Sequence, residues 1–407
     1  MDIRITPKQL SGSVTPPPSK SMAHRLIIAA ALSSGTSTIE NIAFSKDISA
    51  TLRCIEALGA AWTQPSPGTL RISGIGDQPW SGDLPQFDCG ESGSTLRFFI
   101  PIALAVAGGG IFTGQGRLMQ RPQQPYFDLF AEKGISSRQE GDTLVVEGRL
   151  TPGDYRLPGN VSSQFFTGLL FALPLLNGTS TLVSTTPLES ADYLNMTLDA
   201  LQIAGVSAQR SADGLQFTLH SAPFHAFDAA VEADWSQAAF WFAANFLDSQ
   251  LDIQGLNPQS SQGDMAVFAH YWKLARPGDT EVDVSGCPDL LPPLAVMAAV
   301  RNGTTHFTNA ARLRIKESDR LATVHQMLTA LGVQAKESHD SLTVCGVPTL
   351  QGGTVDGCND HRIVMAAAIA ATACSNPVTI LGAEAVSKSY PDFFEVYRSL
   401  GGEFHGI

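Results

Sequence analysis

The chain is short of charge, and of positive charge above all. Charged residues make up 16% of it, 38 acidic against 26 lysines and arginines, for a formal net charge of −12. A nucleic-acid binder needs a basic face for the phosphates, so nucleic acid is not an expected partner. A small anion remains possible, because a fold can gather a few basic groups where they matter. The six cysteines (Cys54, Cys89, Cys287, Cys345, Cys358 and Cys374) form no CxxC pair. That pattern argues against a disulfide framework or zinc site and for the reduced thiols of a cytosol. The nine histidines show no HExxH or similar spacing, so no metal is expected. Neither GxxxxGK[ST] nor a GxGxxG after a strand occurs, which argues against a nucleotide site of either kind. The longest apolar run, Phe98 to Phe112, carries Pro101 and three glycines, short of the ~20 residues a membrane-spanning helix needs. The opening MDIRITPKQL lacks the basic-then-apolar pattern of a secretion signal. A cytoplasmic protein is expected, with no membrane contact.

What is present is a repeat. Six segments place small polar or charged residues just before a helical apolar run: PSKSMAHR, GESGSTLR, NVSSQFFT, ADWSQAAF, CPDLLPPL and CNDHRIVM. With Ser21, Ser92, Ser163, Ser236, Asp289 and Asp360 as markers, the steps are 71, 71, 73, 53 and 71 residues. After each such helix comes a short β-branched strand, then a second polar cluster (Ser45-Lys46-Asp47, Arg121-Pro122, Glu189-Ser190, Gln262-Gly263-Asp264, Lys316 to Arg320, Lys388-Ser389) that opens a second helix. A hairpin-like stretch follows, as in SSRQEGDTLVVEG.

The unit is helix, strand, helix and two strands, six times over. The short step marks a copy without its hairpin. The strand in MDIRIT has no copy of its own and is free to complete the sheet left short near the C-terminus. Two α/β domains of three repeats follow: residues 19–228, and a discontinuous domain of 1–18 plus 229–407. The apolar positions of such a repeat are structural, since one unit cannot bury its own apolar face.

The charges at the helix starts are not explained that way. Lys20, Arg25, Arg121, Lys316, Arg320, Arg362 and Lys388 are expected in a first helical turn or the loop before it. A cation there faces the positive end of the helix dipole. Any one alone reads as a solvated surface charge; seven at equivalent positions predict a shared polyanion site. Its ligand should carry phosphate and carboxylate together, because arginine forks match both. Helix capping accounts for Asp319 and Asp360 and is the plainer account of Asp289. Glu317, between Lys316 and Arg320, reads as an acid or base held by cations. His361 beside Arg362 says little by itself.

On these residues the chain resembles the EPSP synthase family of enolpyruvyl transferases over essentially its whole length. The matching segments are Pro18-Ser19-Lys20-Ser21 with Arg25, Gly93 with Arg97, Arg121-Pro122, Ser162-Ser163-Gln164, Ser190 with Tyr193, Pro288-Asp289, Lys316 to Arg320, Asp360-His361-Arg362, and Lys388 to Asp392. The resemblance implies two similar domains, each of three βαβαββ repeats in an inside-out α/β barrel, with the active site in the cleft between them. It implies transfer of the enolpyruvyl group of phosphoenolpyruvate to the 5-hydroxyl of shikimate-3-phosphate, without metal or organic cofactor, by a monomer.

By the same resemblance, shikimate-3-phosphate is held by Lys20, Ser21, Arg25, Ser162, Ser163, Gln164, Ser190, Tyr193, Asp289 and Lys316. Phosphoenolpyruvate is held by Lys20, Gly93, Arg121, Gln164, Arg320, His361, Arg362 and Lys388. Lys20, Asp289, Glu317 and Lys388 are the implied catalytic groups. Two departures stand out. Gly90-Glu91-Ser92-Gly93-Ser94 replaces the family's usual Gly-Asn-[Ala/Ser]-Gly-Thr, which bears on sensitivity to glyphosate, the family's inhibitor. Arg312 stands where some members use asparagine, and it receives no role. The sister reaction, with UDP-N-acetylglucosamine as acceptor, is the alternative; Lys20-Ser21 and the cysteine-free loop Gly108 to Arg121 count against it. A non-catalytic anion binder on the same scaffold is the alternative of another class.

Overall fold

A computed structural model describes all residues, 1–407. The chain divides into two compact units, Lys20–Val231 and the pair Met1–Ser19 with Glu232–Ile407. A division after residue 228, as the sequence suggested, would cut the strand Asp228–Ala230, which pairs in parallel with Thr36–Glu40 of the unit Lys20–Val231.

Each period builds the same pair of helices. Its first helix is apolar on every side and buried: Lys20–Leu32, Gly93–Val106 and Ser163–Ala172 in one unit, Trp235–Phe246, Leu291–Val300 and His361–Ala371 in the other. Such a helix needs protein all round it. The second helix buries one face only. In Lys46–Ala57, Ile48, Leu52 and Ile55 point inward while Arg53 and Glu56 stay exposed. The strands alternate, as in Thr69–Ser73, which buries Leu70 and Ile72, so each sheet turns one face to the helices. Helices therefore occupy the inside and sheets the outside. Each unit has its own contiguous apolar core.

Five sheets have four strands and one order, two parallel strands and then an antiparallel pair laid against the second; in four of them that pair is a hairpin. Gln86–Asp88, Gly109–Thr113, Thr143–Glu147 and Ser136–Glu140 form one of them. The sixth sheet has only Ser11–Val14 parallel to Gln250–Ile253, in the copy whose short step predicted a missing hairpin. Here Gln250 and Gln254 donate to the Ser11–Val14 side, so Leu251 turns its polar groups to the bare edge. The side chain of Asn245 meets both: Nδ2 donates to Leu251 O at 2.9 Å, and Oδ1 accepts from Leu251 N at 2.8 Å. One amide side chain thus replaces part of a strand. The expected closing strand is also found: Ile3–Thr6 lies antiparallel to both Val378–Leu381 and Glu403–Gly406.

A helical glycine costs about 1 kcal/mol relative to alanine; Gly168 has a reason to be one. A Cβ there would stand 2.5 Å from both Arg97 O and Tyr126 Oη, so the helices Gly93–Val106 and Ser163–Ala172 could not approach as they do. No helix is long and apolar enough to cross a membrane.

Candidate active site

The polar side chains at the helix starts form two groups, one in each unit. In Lys20–Val231, Lys20 begins its helix and its Nζ reaches Asp47 Oδ2 at 2.7 Å. Arg25, expected in the first turn, is the sixth residue of that helix, because the helix already begins at Lys20. It is 2% exposed and donates to Ser21 O, Tyr193 O and the hydroxyls of Thr197 and Thr167. Burial pulls its pKa down to about 10, with little return from Tyr193, so it stays charged at neutral pH.

Further along, the guanidinium of Arg121 packs over the start of the helix Gly93–Val106. A Cβ on Gly93 would sit 2.4 Å from Arg121 Nη1, so a side chain there would push the guanidinium aside. Arg97 donates to Gln164 Oε1 at 2.8 Å, to Ser162 Oγ at 3.5 Å and to Pro122 O at 3.1 Å. Its guanidinium lies 4.7 Å from the centre of the Phe165 ring. Gln164 in turn donates to Ser94 Oγ at 2.9 Å, and Ser162 caps the helix through Gln164 N. Ser163 is buried in the first turn, and Ser190 opens its helix in the left-handed conformation at φ 55°. A non-glycine residue held there is strained, and such strain collects at functional sites.

In the other unit Asp289 is the hub. Its Oδ1 accepts from Arg320 Nη1 at 2.7 Å and from Lys316 Nζ at 3.2 Å, and its Oδ2 accepts from Arg362 Nη2 at 3.0 Å. Arg320 also holds Glu317 at 2.7 Å and Asp360 at 2.9 Å. Ser318 Oγ donates to the same Asp360 oxygen. Three carboxylates thus meet three cations. Burial opposes ionisation of Asp289, but Arg362, Lys316 and Arg320 overcome it and hold the carboxyl well below its ordinary value. Asp360 is lowered in the same way: burial opposes its ionisation most, and Arg320 and His361 together overcome it. Burial works against the charge on Arg320, yet Asp360, Glu317 and Asp289 raise its pKa. Lys316 goes the other way: burial lowers it, and Asp289 restores only part. Lys388 donates to Asn359 O at 2.6 Å. Cys358 and Asn359, both left-handed at φ 50° and 52°, precede the buried His361.

Capping turns out to be a partial account of these carboxylates. Asp319 does cap its helix, through Ala322 N, while also holding Arg314. Asp360 caps through Arg362 N and is at once the buried counterion of Arg320. Asp289 makes no side-chain cap and accepts from cations instead. Sequence reasoning missed Asp47 as a partner of Lys20; its place in the Ser45-Lys46-Asp47 cluster was the available signal. Glu91 lies against Gly116, in the loop leading to Arg121.

Known proteins resemble the chain throughout. Residues 5–397 match the model of the family described as EPSP synthase (3-phosphoshikimate 1-carboxyvinyltransferase). A 3-phosphoshikimate 1-carboxyvinyltransferase of Clostridium acetobutylicum is 43% identical over 99% of this chain and 98% of its own. One of Clostridioides difficile is 41% identical over 98% and 97%. Among solved structures, EPSP synthase from Acinetobacter baumannii superposes with a TM-score of 0.81 at 22% identity, covering 100% of both chains. The enolpyruvyl transferase NikO from Streptomyces tendae superposes with a TM-score of 0.77 at 18% identity, covering 99% of this chain and 98% of its own.

Proposed function

The chain belongs to the EPSP synthase (3-phosphoshikimate 1-carboxyvinyltransferase) family, and from that premise we propose how its residues carry out the family's transfer of enolpyruvate from phosphoenolpyruvate to shikimate-3-phosphate. The observation that carries the reading is the carboxylate Asp289 ringed by Lys316, Arg320 and Arg362. At rest those three cations make Asp289 a poor base. Binding of an anionic substrate by Arg320 and Arg362 draws part of their field away from Asp289, and its basicity rises when it is needed.

The shikimate-3-phosphate contacts are assigned to Lys20, Ser21, Arg25, Ser162, Ser163, Gln164, Ser190, Tyr193, Asp289 and Lys316. Arg25 suits the phosphate, since its buried charge is met by neutral oxygens and gains most from an anion. Phosphoenolpyruvate is assigned to Lys20, Gly93, Arg121, Gln164, Arg320, His361, Arg362 and Lys388. In the addition step the methylene carbon of phosphoenolpyruvate takes a proton from Glu317 or Lys20. The 5-hydroxyl oxygen of the acceptor bonds to the cationic carbon and gives its proton to Asp289. In the elimination step the new methyl group returns a proton to the same donor, the carbon–oxygen bond to phosphate breaks, and phosphate leaves with the bonding pair. The charge that develops is met by fixed cations, electrostatic help of the oxyanion-hole kind. Lys388, held by Asn359 O, is assigned to the departing phosphate.

The test is phosphate release from phosphoenolpyruvate by purified protein with each acceptor in turn. Release with shikimate-3-phosphate and none with UDP-N-acetylglucosamine is expected. Turnover of the UDP-sugar would overturn the acceptor assignment.

A further inference from the structure

Pro101 sits inside the helix Gly93–Val106. Proline has no N–H, so the carbonyl of Arg97, four residues earlier, loses the amide donor a helix would normally give it. The hydroxyl of Tyr126 takes that place, 2.9 Å from Arg97 O and equally 2.9 Å from Phe165 O. Phe165 O lies within the helix Ser163–Ala172, where Leu169 carries an N–H at the right spacing. The single hydroxyl proton is therefore needed at Arg97. Tyr126 is sealed from water, stacked on Phe130 and edge-on to Phe165, with ring centres 5.2 and 4.8 Å apart. Burial pushes its pKa well above the usual value, so the hydroxyl remains a donor. Gly168 leaves the room in which these atoms meet.

We propose that Tyr126 and Pro101 form a positioning pair for the phosphoenolpyruvate contacts: the hydroxyl replaces an absent helix amide and fixes the turn that carries Arg97. From that turn the guanidinium grips Gln164 and the carbonyl of Pro122, next to Arg121. The inference rests on the roles assigned above to Gln164 and Arg121.

Four proteins test it: the wild type, Tyr126→Phe, Pro101→Ala and the double variant. Tyr126→Phe keeps the ring and deletes the donor. Its KM for phosphoenolpyruvate should rise ~10-fold, the worth of one buried hydrogen bond, with kcat changed less than ~2-fold. Pro101→Ala alone should stay within ~2-fold of wild type, because Arg97 O then has two donors. The double variant should recover to within ~3-fold of wild type, since the backbone N–H that Pro101→Ala restores takes over from the lost hydroxyl. A wild-type KM in Tyr126→Phe, or a double variant as impaired as the single, overturns the pairing. If Tyr126→Phe does not fold, the double variant decides: folded and active supports the proposal, unfolded overturns it. Absence of wild-type turnover would count against the functional reading instead. Thermal midpoints, in which the double variant should regain what Tyr126→Phe loses, test the pairing without any activity.

Discussion

Arg25 and Arg320 are the same residue type, each buried in a helix at 2% and 1% exposure, and their pKa values move in opposite directions. Arg25 has hydroxyls and carbonyls for partners, and burial draws it down to about 10. Arg320 has three carboxylates, which more than offset its burial and drive it up. Burial alone does not decide how a buried cation behaves; the formal charge of its partners does. A cation held by neutral oxygens strains the fold slightly and leaves its field for a ligand. One enclosed by carboxylates organises the fold, and its field reaches a ligand only after rearrangement of its partners.

The strongest way to break this comparison is to delete each charge. Arg320→Met leaves Asp289, Glu317 and Asp360 without their shared cation and should cost about 3–5 kcal/mol, read from urea midpoints. Arg25→Met should cost less than half as much while raising KM for shikimate-3-phosphate. Equal losses would erase the distinction. Next in size is chemistry inside the carboxylate network. Glu317→Gln and Asp289→Asn should each lower kcat ~10²–10⁴-fold. Asp289→Asn should lower the melting temperature more than Glu317→Gln does, because it exposes three cations to one another. Near-wild-type kcat in both would mean other groups move the protons.

Acid titration sharpens the contrast further. Asp289 and Asp360 ionise at lower pH than ordinary carboxyls, so below pH ~4 the unfolded chain binds more protons than the folded one. Their contribution is complete above that pH and is lost as pH falls through the lowered values; Asp360→Asn should flatten this limb of the stability curve. For Arg25 the window lies between its folded value of about 10 and an ordinary arginine value above 12. There the folded chain gives up the proton first, so this group adds stability as pH rises. The smallest expected effect is that of inorganic phosphate, which at several times its Kd should raise the wild-type melting temperature by ~1–3 °C. The same rise in Arg25→Met would place the anion elsewhere.

What the sequence revealed and what it hid divide along physical lines. The period, the buried first helices, the missing fourth hairpin and the returning strand Ile3–Thr6 were legible, because apolar pattern and spacing are local and repeated. The partners of polar side chains were not. Asp360 reads as a cap, and only folding brings it to Arg320, 40 residues back. Asn245 as a stand-in for a strand, and Tyr126 as a stand-in for an amide, answer defects that arise elsewhere in the chain. A compensation of that kind has no motif of its own.

The strand Ile3–Thr6 also sets an order of events during synthesis. The amide of Gly382 donates to the side chain of Asp2, 380 residues away, and both neighbours of the strand come from that far end of the chain. At ~5–20 residues per second the ribosome leaves Ile3 and Ile5 waiting roughly 20–75 s for them. The strands of Lys20–Val231 pair only with one another, so that stretch has everything it needs as soon as it has emerged. A nascent chain of this design folds its middle first and ties its two ends together last.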